Sequence, residues 1–269
     1  MVVWTVHGYA LSGFYVGDNM NRRSKNINAQ MIKHNLVLVP GLMCDHSVWD
    51  PLLEGISPLA GAQIIDHGQA DSLVDMAHQL LALAPPRFAL AGHSMGGRVA
   101  LEVMRLAPQR VTHLALMDTG YLPKAAGAAG EAEVAKRMAL VALAHNEGVR
   151  AMALQWVQGM VAPHRLSDAV LIESVVAMLD RKSAQVFARQ IKALIERPDA
   201  SDVLRQLQLP TLVLCGAQDS WSNPAQHEEI AALIPARPAV VSVPDAGHMV
   251  TMERPDAVVQ AFKDWLSMP

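Results

Sequence analysis

The 269-residue chain predicts an α/β fold, a mostly parallel sheet with helices on both faces and a helical cap inserted between two of its strands. Three observations carry this. Six short runs, 35–41, 62–66, 87–92, 113–118, 210–216 and 239–245, are apolar on both faces, as strands buried inside a parallel sheet are. Helical segments such as 73–83, 98–106 and 224–234 separate most of them, and strand, helix, strand in repetition builds an open parallel sheet. Residues 121–200 carry no strand pattern, and an all-helical insertion in such a sheet belongs over the strand ends.

Taken in order, residues 1–30 are a poorly defined extension: MVVWTV and GFYVG can pair as a hairpin, but DNMNRRSKNINAQ has neither periodicity nor apolar content. The core occupies 31–120 and 201–269, and the cap 121–200. The cap opens on the flexible-looking PKAAGAAGEAE and continues through the helical EVAKRMALVALAH, VRAMALQWVQGMV and SDAVLIESVVAMLD.

Composition sets the class of partner. With 51% hydrophobic residues, the chain can bury one large core. A net charge of −3 gives no basis for binding nucleic acid or an anionic membrane, which leaves a small molecule as the expected partner. There is no apolar run long enough to span a bilayer and no secretory leader pattern, so a cytoplasmic location is expected. The two cysteines, Cys44 and Cys215, are too few for a disulfide scaffold and lack metal-ligand spacing. No cofactor and no metal is expected.

The chemistry concentrates in AGHSMGGR, residues 91–98. A chain that leaves a strand and enters a helix within a residue or two forces the residue at the bend towards positive φ. Gly92 and Gly96 flank Ser94 where a Cβ would collide with adjacent backbone. The bend exposes the Ser94 hydroxyl and sets the Met95 N–H at a helix start, free to bind an anion. An ordinary glycine-rich turn has the same spacing. A serine nucleophile needs a base, and the base needs an acid to hold its tautomer. Asp219 follows the strand TLVLCG and His248 follows AVVSVPD, so both leave the strand edge from which Ser94 emerges. Of eleven histidines, His248 alone has this placement. His93 is expected to point away and pack against the sheet.

GHSMGG, GAQDSW and DAGHMVTMERPDAV, at these separations, resemble the α/β-hydrolases over residues 35–267. The resemblance implies Ser94 as nucleophile, Asp219 as acid and His248 as base, and PGLMCDHSVW resembles the oxyanion loop, so that the Leu42 N–H joins that of Met95. Three departures stand out. Pro40 replaces the usual bracing histidine, the loop after the next strand is shortened to DHGQADS, which is expected to open one side of the active-site mouth, and the first two family strands are unrecognisable in residues 1–34. In the family's strand order Cys44 and Cys215 lie on strands separated by two others, about 14 Å apart, too far for a disulfide. Asp118 follows the strand where some relatives place the acid; it is expected instead to cap a turn in MDTG.

Met138, Met152, Trp156 and Met160 in the cap are candidate substrate contacts, with Met178 and Phe187 beside them, although helical spacing also suits them to a core. The expected activity is hydrolysis of a small carboxylic ester by a serine hydrolase through an acyl-enzyme. Lactone or thioester hydrolysis and cleavage of a carbon–carbon bond in a ring-cleavage product use the same triad, and a ligand receptor can retain it. The slight basic excess of the cap, and an oxyanion loop as long as that of pimeloyl-acyl-carrier-protein methyl ester esterases, add an acyl-carrier protein as a partner to consider.

Overall fold

A computed structural model describes residues 3–5 and 34–269; the GFYVG arm of the expected hairpin and segment 18–30 lie outside them. Seven strands, β1 (Val3–Thr5), β2 (His34–Val39), β3 (Ala60–Ile65), β4 (Phe88–His93), β5 (Val111–Met117), β6 (Thr211–Gly216) and β7 (Val240–Val243), form one sheet in the order β1-β3-β2-β4-β5-β6-β7. Strands β2 to β7 are parallel to their neighbours, and β1 pairs antiparallel with β3 through Val3–Ile65 and Thr5–Gln63. The β4 and β6 strands are buried along their whole length, which is why FALAGH and TLVLCG show no polar face.

The helices are α1 (Asp50–Ile56), α2 (Leu73–Leu83), α3 (Met95–Leu106), α4 (Gly127–Asn146), α5 (Val149–Trp156), α6 (Ala169–Asp180), α7 (Ala184–Ile195), α8 (Ser201–Arg205), α9 (Pro224–Leu233), α10 (Val250–Glu253) and α11 (Pro255–Leu266). Two sets of neighbours, α2, α3, α8 and α9, and α1, α10 and α11, clothe the sheet. Among the described residues no helix is long and apolar enough to cross a membrane.

Several boundaries differ from the sequence expectation for local reasons. Helix α3 starts at Met95 rather than 98, because Ser94 itself stands at the N-cap. The β7 strand stops at Val243, where Pro244 and the positive φ of Asp245 (56°) break the ladder. Helix α4 already begins at Gly127, inside the stretch expected to be flexible, because its alanines and glutamates favour helix.

Helices α4 to α7 fill 127–195 and share a small core of Met152, Val176, Met178, Leu179 and Phe187, all fully buried. The shortened DHGQADS loop does not open the site, contrary to the sequence expectation. Lys182 pairs with Asp66, Arg189 donates to the Gln69 carbonyl (2.9 Å) and Lys192 pairs with Asp71 (2.9 Å). A short loop lets these long cationic side chains reach across, so the loop is strapped to the helical insertion, and none of residues 66–72 lines the cavity above Ser94.

The three-residue β1 sits at the sheet edge, and the apolar strands begin at His34. A chain starting at Met31 is therefore expected to fold and keep its kcat, since an edge strand this short contributes few ladder bonds. Thermal melts and steady-state rates on that truncation check it; loss of folded protein would show that β1 is required.

Candidate active site

Ser94 lies between β4 and α3 at φ 56° and ψ −118°, a conformation costing of order 1–3 kcal/mol. Its surroundings hold it there. The Ser94 N–H donates to the Met117 carbonyl (2.8 Å), and its own carbonyl accepts from the Thr119 hydroxyl (2.7 Å) and the Gly97 N–H (3.0 Å). A Cβ on Gly92 would stand 2.3 Å from the Gly96 carbonyl oxygen, and one on Gly96 would stand 2.1 Å from that of Val39. No side chain fits at either position, which accounts for the glycine spacing.

The three distant residues meet over this bend. His248 Nε2 lies 2.8 Å from Ser94 Oγ, and His248 Nδ1 lies 2.8 Å from Asp219 Oδ2. The other Asp219 oxygen accepts from the N–H groups of Trp221 (2.8 Å) and Ser222 (3.0 Å). Burial alone would raise the Asp219 pKa, but the charge and hydrogen bond of His248 and these two N–H donors hold it well below the usual carboxylate range. An ionised Asp219 only accepts, so Nδ1 carries the proton and Nε2 is left to accept from the serine hydroxyl.

The N–H groups of Leu42 and Met95 make no hydrogen bond among the described residues, and both residues line the cavity beside Ser94. The next N–H along the loop, that of Met43, points elsewhere and donates to Gln190 Oε1 on α7 (2.8 Å), with Met43 at φ 62°. Where Pro40 stands in place of a bracing histidine, the buried His67 supplies the brace from the following loop and donates through Nε2 to the Pro40 carbonyl (2.8 Å).

Two expectations need correction. His93 does not simply pack against the sheet: it donates through Nε2 to the His248 carbonyl (2.7 Å), with its ring 5.3 Å from that of His248 and edge-on to Trp49. Burial and the neighbouring His248 push its pKa down to about 3, so it stays a neutral brace. Asp118 does not cap a turn in MDTG. It is fully buried, and its Oδ1 accepts from the Gly216 N–H (2.9 Å), tying β5 to β6. Its other oxygen has no hydrogen-bond partner among the described residues and lies 3.7 Å from His93 Nε2. Burial and the charge of Asp219 raise the Asp118 pKa well above its ordinary 3.8.

Sequence reasoning missed Glu253. Its buried carboxylate accepts from the N–H groups of Gly247 (2.9 Å), Met249 (3.2 Å) and Ala162 (2.8 Å), which pins both sides of His248 and the segment between α5 and α6. Its spacing after His248 was visible in HMVTME, but only the loop geometry gives it a task. His227, also missed, accepts the Thr119 N–H at Nε2 (3.2 Å) and so secures the residue that braces Ser94.

A cavity of about 800 Å³ opens above Ser94. Of the four candidate contacts, Trp156 and Met160 line it. Met138 and Met152 do not: Met138 sits half exposed on the outer face of α4, and Met152 is fully buried in the core of the helical insertion. Trp221 also lines the cavity, stacked on Trp156 (5.6 Å between centroids) and 4.9 Å from the His248 ring. Cys44 and Cys215 are free and buried, and burial raises both thiols to about 12. Asp118, Asp219 and His248 form a cluster of metal-ligand types; the Asp219 oxygens and both His248 nitrogens are engaged with each other, with Ser94 and with backbone N–H groups, and Asp118 Oδ1 is engaged with the Gly216 N–H.

Residues 36–261 match the model of the alpha/beta hydrolase family. The chain is similar to the dihydrolipoyllysine-residue acetyltransferase component of an acetoin cleaving system from Pseudomonas putida, with 30% identity over 86% of this chain and 63% of that protein, so the match spans less than two thirds of that relative. It is similar to a pimeloyl-[acyl-carrier protein] methyl ester esterase from Pectobacterium carotovorum, with 27% identity over 84% of this chain and 91% of that one. Among solved structures it resembles a thermophilic esterase from Thermogutta terrifontis, with a TM-score of 0.75 and 27% identity over 87% of this chain and 89% of that one.

Proposed function

The chain belongs to the alpha/beta hydrolase family, in which it stands with ester-acting hydrolases, and from the site we propose that it cleaves a small carboxylic ester through a Ser94 acyl-enzyme. The observation that carries the reading is the continuous relay from Ser94 Oγ through His248 to Asp219, with both links at 2.8 Å. Ser94 Oγ attacks the ester carbonyl carbon as its proton passes to His248 Nε2. The carbonyl oxygen becomes an oxyanion, to which the Leu42 and Met95 N–H groups donate, each of order 3 kcal/mol of transition-state stabilisation. Collapse expels the alcohol, which takes the proton from His248. Water then attacks the acyl-enzyme by the same route in reverse, and the carboxylic acid leaves. Asp219 stays ionised throughout and stabilises the imidazolium.

The cavity that holds Ser94 is lined by the apolar Trp156, Met160 and Leu140 and also by arginines and a lysine. Each methylene that fits should add up to about 0.8 kcal/mol, and the gain should end where the apolar wall does. For p-nitrophenyl esters, kcat/KM is expected to rise from acetate to about butyrate or hexanoate and to fall by decanoate. The acyl-length series, run beside fluorophosphonate labelling of Ser94, tests this. A profile still rising at hexadecanoate would replace the small pocket with a lipase-like groove. Labelling without turnover of any ester would overturn ester hydrolysis in favour of a carbon–carbon hydrolase or a receptor.

A further inference from the structure

Arg98 is the feature that ester cleavage alone leaves without a role. It lies on the first turn of α3, four residues after Ser94, so one helical turn separates it from the nucleophile. Its side chain lines the same cavity. One guanidinium nitrogen, Nη1, donates to the Leu122 carbonyl (3.0 Å), and among the described residues no carboxylate pairs with it. A guanidinium has five N–H donors in a planar fork, so most of this fork is unspent.

The nearest carboxylate is already committed. Glu133 on α4 takes two bonds from Arg197 (2.7 and 2.8 Å) and one from Arg137 (2.9 Å), and these partners hold it down to about 2 against the effect of burial. Two arginines therefore share the Glu133 carboxylate, Arg98 is left without one, and Lys136, which makes no ion pair among the described residues, lines the same cavity. The other cavity acids do not restore the balance. The Glu229 carboxylate accepts from the Tyr121 hydroxyl (3.3 Å), and burial and the charge of Asp219 raise the Asp118 pKa, yet Arg98, Lys136, Arg137 and Arg197 outnumber all the carboxyl groups of the lining, Glu133, Glu229 and Asp118. Arg98 is half-buried, and a bound anion would supply the counter-charge its guanidinium lacks.

We propose that Arg98, with Arg137 beside it, forms a subsite for a carboxylate carried by the substrate, so that the enzyme acts on half-esters of short dicarboxylic acids or on esters whose alcohol part bears a carboxylate. The planar fork of Arg98 suits two parallel bonds to such a group. The apolar wall of Trp156, Leu140 and Met160 accommodates the methylenes between the two ends.

This inference rests on the ester-hydrolase reading, and the experiment separates the two. Monomethyl glutarate and adipate are compared with methyl butyrate and valerate, and carboxymethyl butyrate with ethyl butyrate, measuring kcat/KM at low and high salt. The carboxylate-bearing member of at least one pair is expected to lead by about ten- to a hundredfold at low salt and to lose much of that lead at high salt. In Arg98→Met the ratio should fall to about one, and Arg98→Lys should retain part of it. Should Arg98→Met fail to fold, competitive inhibition of the wild-type enzyme by glutarate but not by glutaramide gives the same answer. Hydrolysis of the neutral esters with no preference in either pair, or a preference that survives Arg98→Met, overturns the subsite and leaves the hydrolase intact. No hydrolysis of any ester overturns both.

Discussion

Ser94→Ala is expected to lower kcat for any accepted ester by about 10⁵ to 10⁶ and to abolish labelling by a fluorophosphonate. The loss follows from removing the atom that forms the covalent bond, which ends the acyl-enzyme route and leaves only the oxyanion donors and the binding of the ester, good for a residual ~10³ to 10⁴ over water. The fold should survive. Ala at φ 56° is as strained as Ser, and the contacts that hold the bend, from the Ser94 N–H to Met117 and from Thr119 to the Ser94 carbonyl, are made by the backbone of residue 94. The comparison is therefore of kcat between two proteins with matching melting temperatures. A variant retaining activity within about a hundredfold of wild type would place the nucleophile elsewhere.

The sheet and the bend were legible because they are written in local rules. A fully buried parallel strand must be apolar on both faces, and FALAGH and TLVLCG are; a strand that turns into a helix in one residue must shed Cβ atoms, and Gly92 and Gly96 do. The edge strand β1 is three residues long, too short for periodicity to declare itself. The parts of the site that escaped are long-range. Gln190 on α7 holds the loop after β2 at Met43, 147 positions away in sequence, and nothing around Gln190 distinguishes it from other glutamines on helices. The same holds for Glu253, whose three backbone donors come from two separate segments. His67 takes over the brace that Pro40 cannot provide, a substitution between loops that single positions do not reveal. Met138 and Met152 failed as contacts because the candidates come from separate elements, Met138 from α4 and Met152 and Trp156 from α5, and the insertion must also build its own core: Met152 went to that core, and Met138 to the surface. Trp221 was the better signal, an aromatic residue two positions after Asp219 and therefore carried to the cavity with it.

Asp219→Asn is expected to lower kcat by about 10³ to 10⁴, whereas Asp118→Asn should cost less than tenfold. In the first variant the amide oxygen can still accept from the N–H groups of Trp221 and Ser222, but its NH₂ group donates to His248 Nδ1. The imidazole must then carry its proton on Nε2, where it points at Ser94 and cannot accept the hydroxyl proton. Asp118 cannot take over, since its nearest imidazole nitrogen is Nε2 of His93 at 3.7 Å. In the second variant the Asn oxygen still accepts from the Gly216 N–H, and the side chain is uncharged, the form that burial and the charge of Asp219 favour at this position. The pH dependence of stability separates the two acids. Asp118 has a folded pKa above its ordinary 3.8, so the folded state binds the proton more tightly than the unfolded one, and stability is lost as pH rises from 3.8 towards the folded value. Asp118→Asn removes that loss, and its melting temperature relative to wild type should climb with pH across this window. The folded pKa of Asp219 lies below the ordinary value, so its contribution is present above 3.8 and lost as pH falls, and Asp219→Asn should melt lower than wild type at neutral pH and converge with it in acid. Rates and melts of both variants across pH settle the assignment: if Asp118→Asn proves the more damaging to kcat, the acid that serves His248 is Asp118.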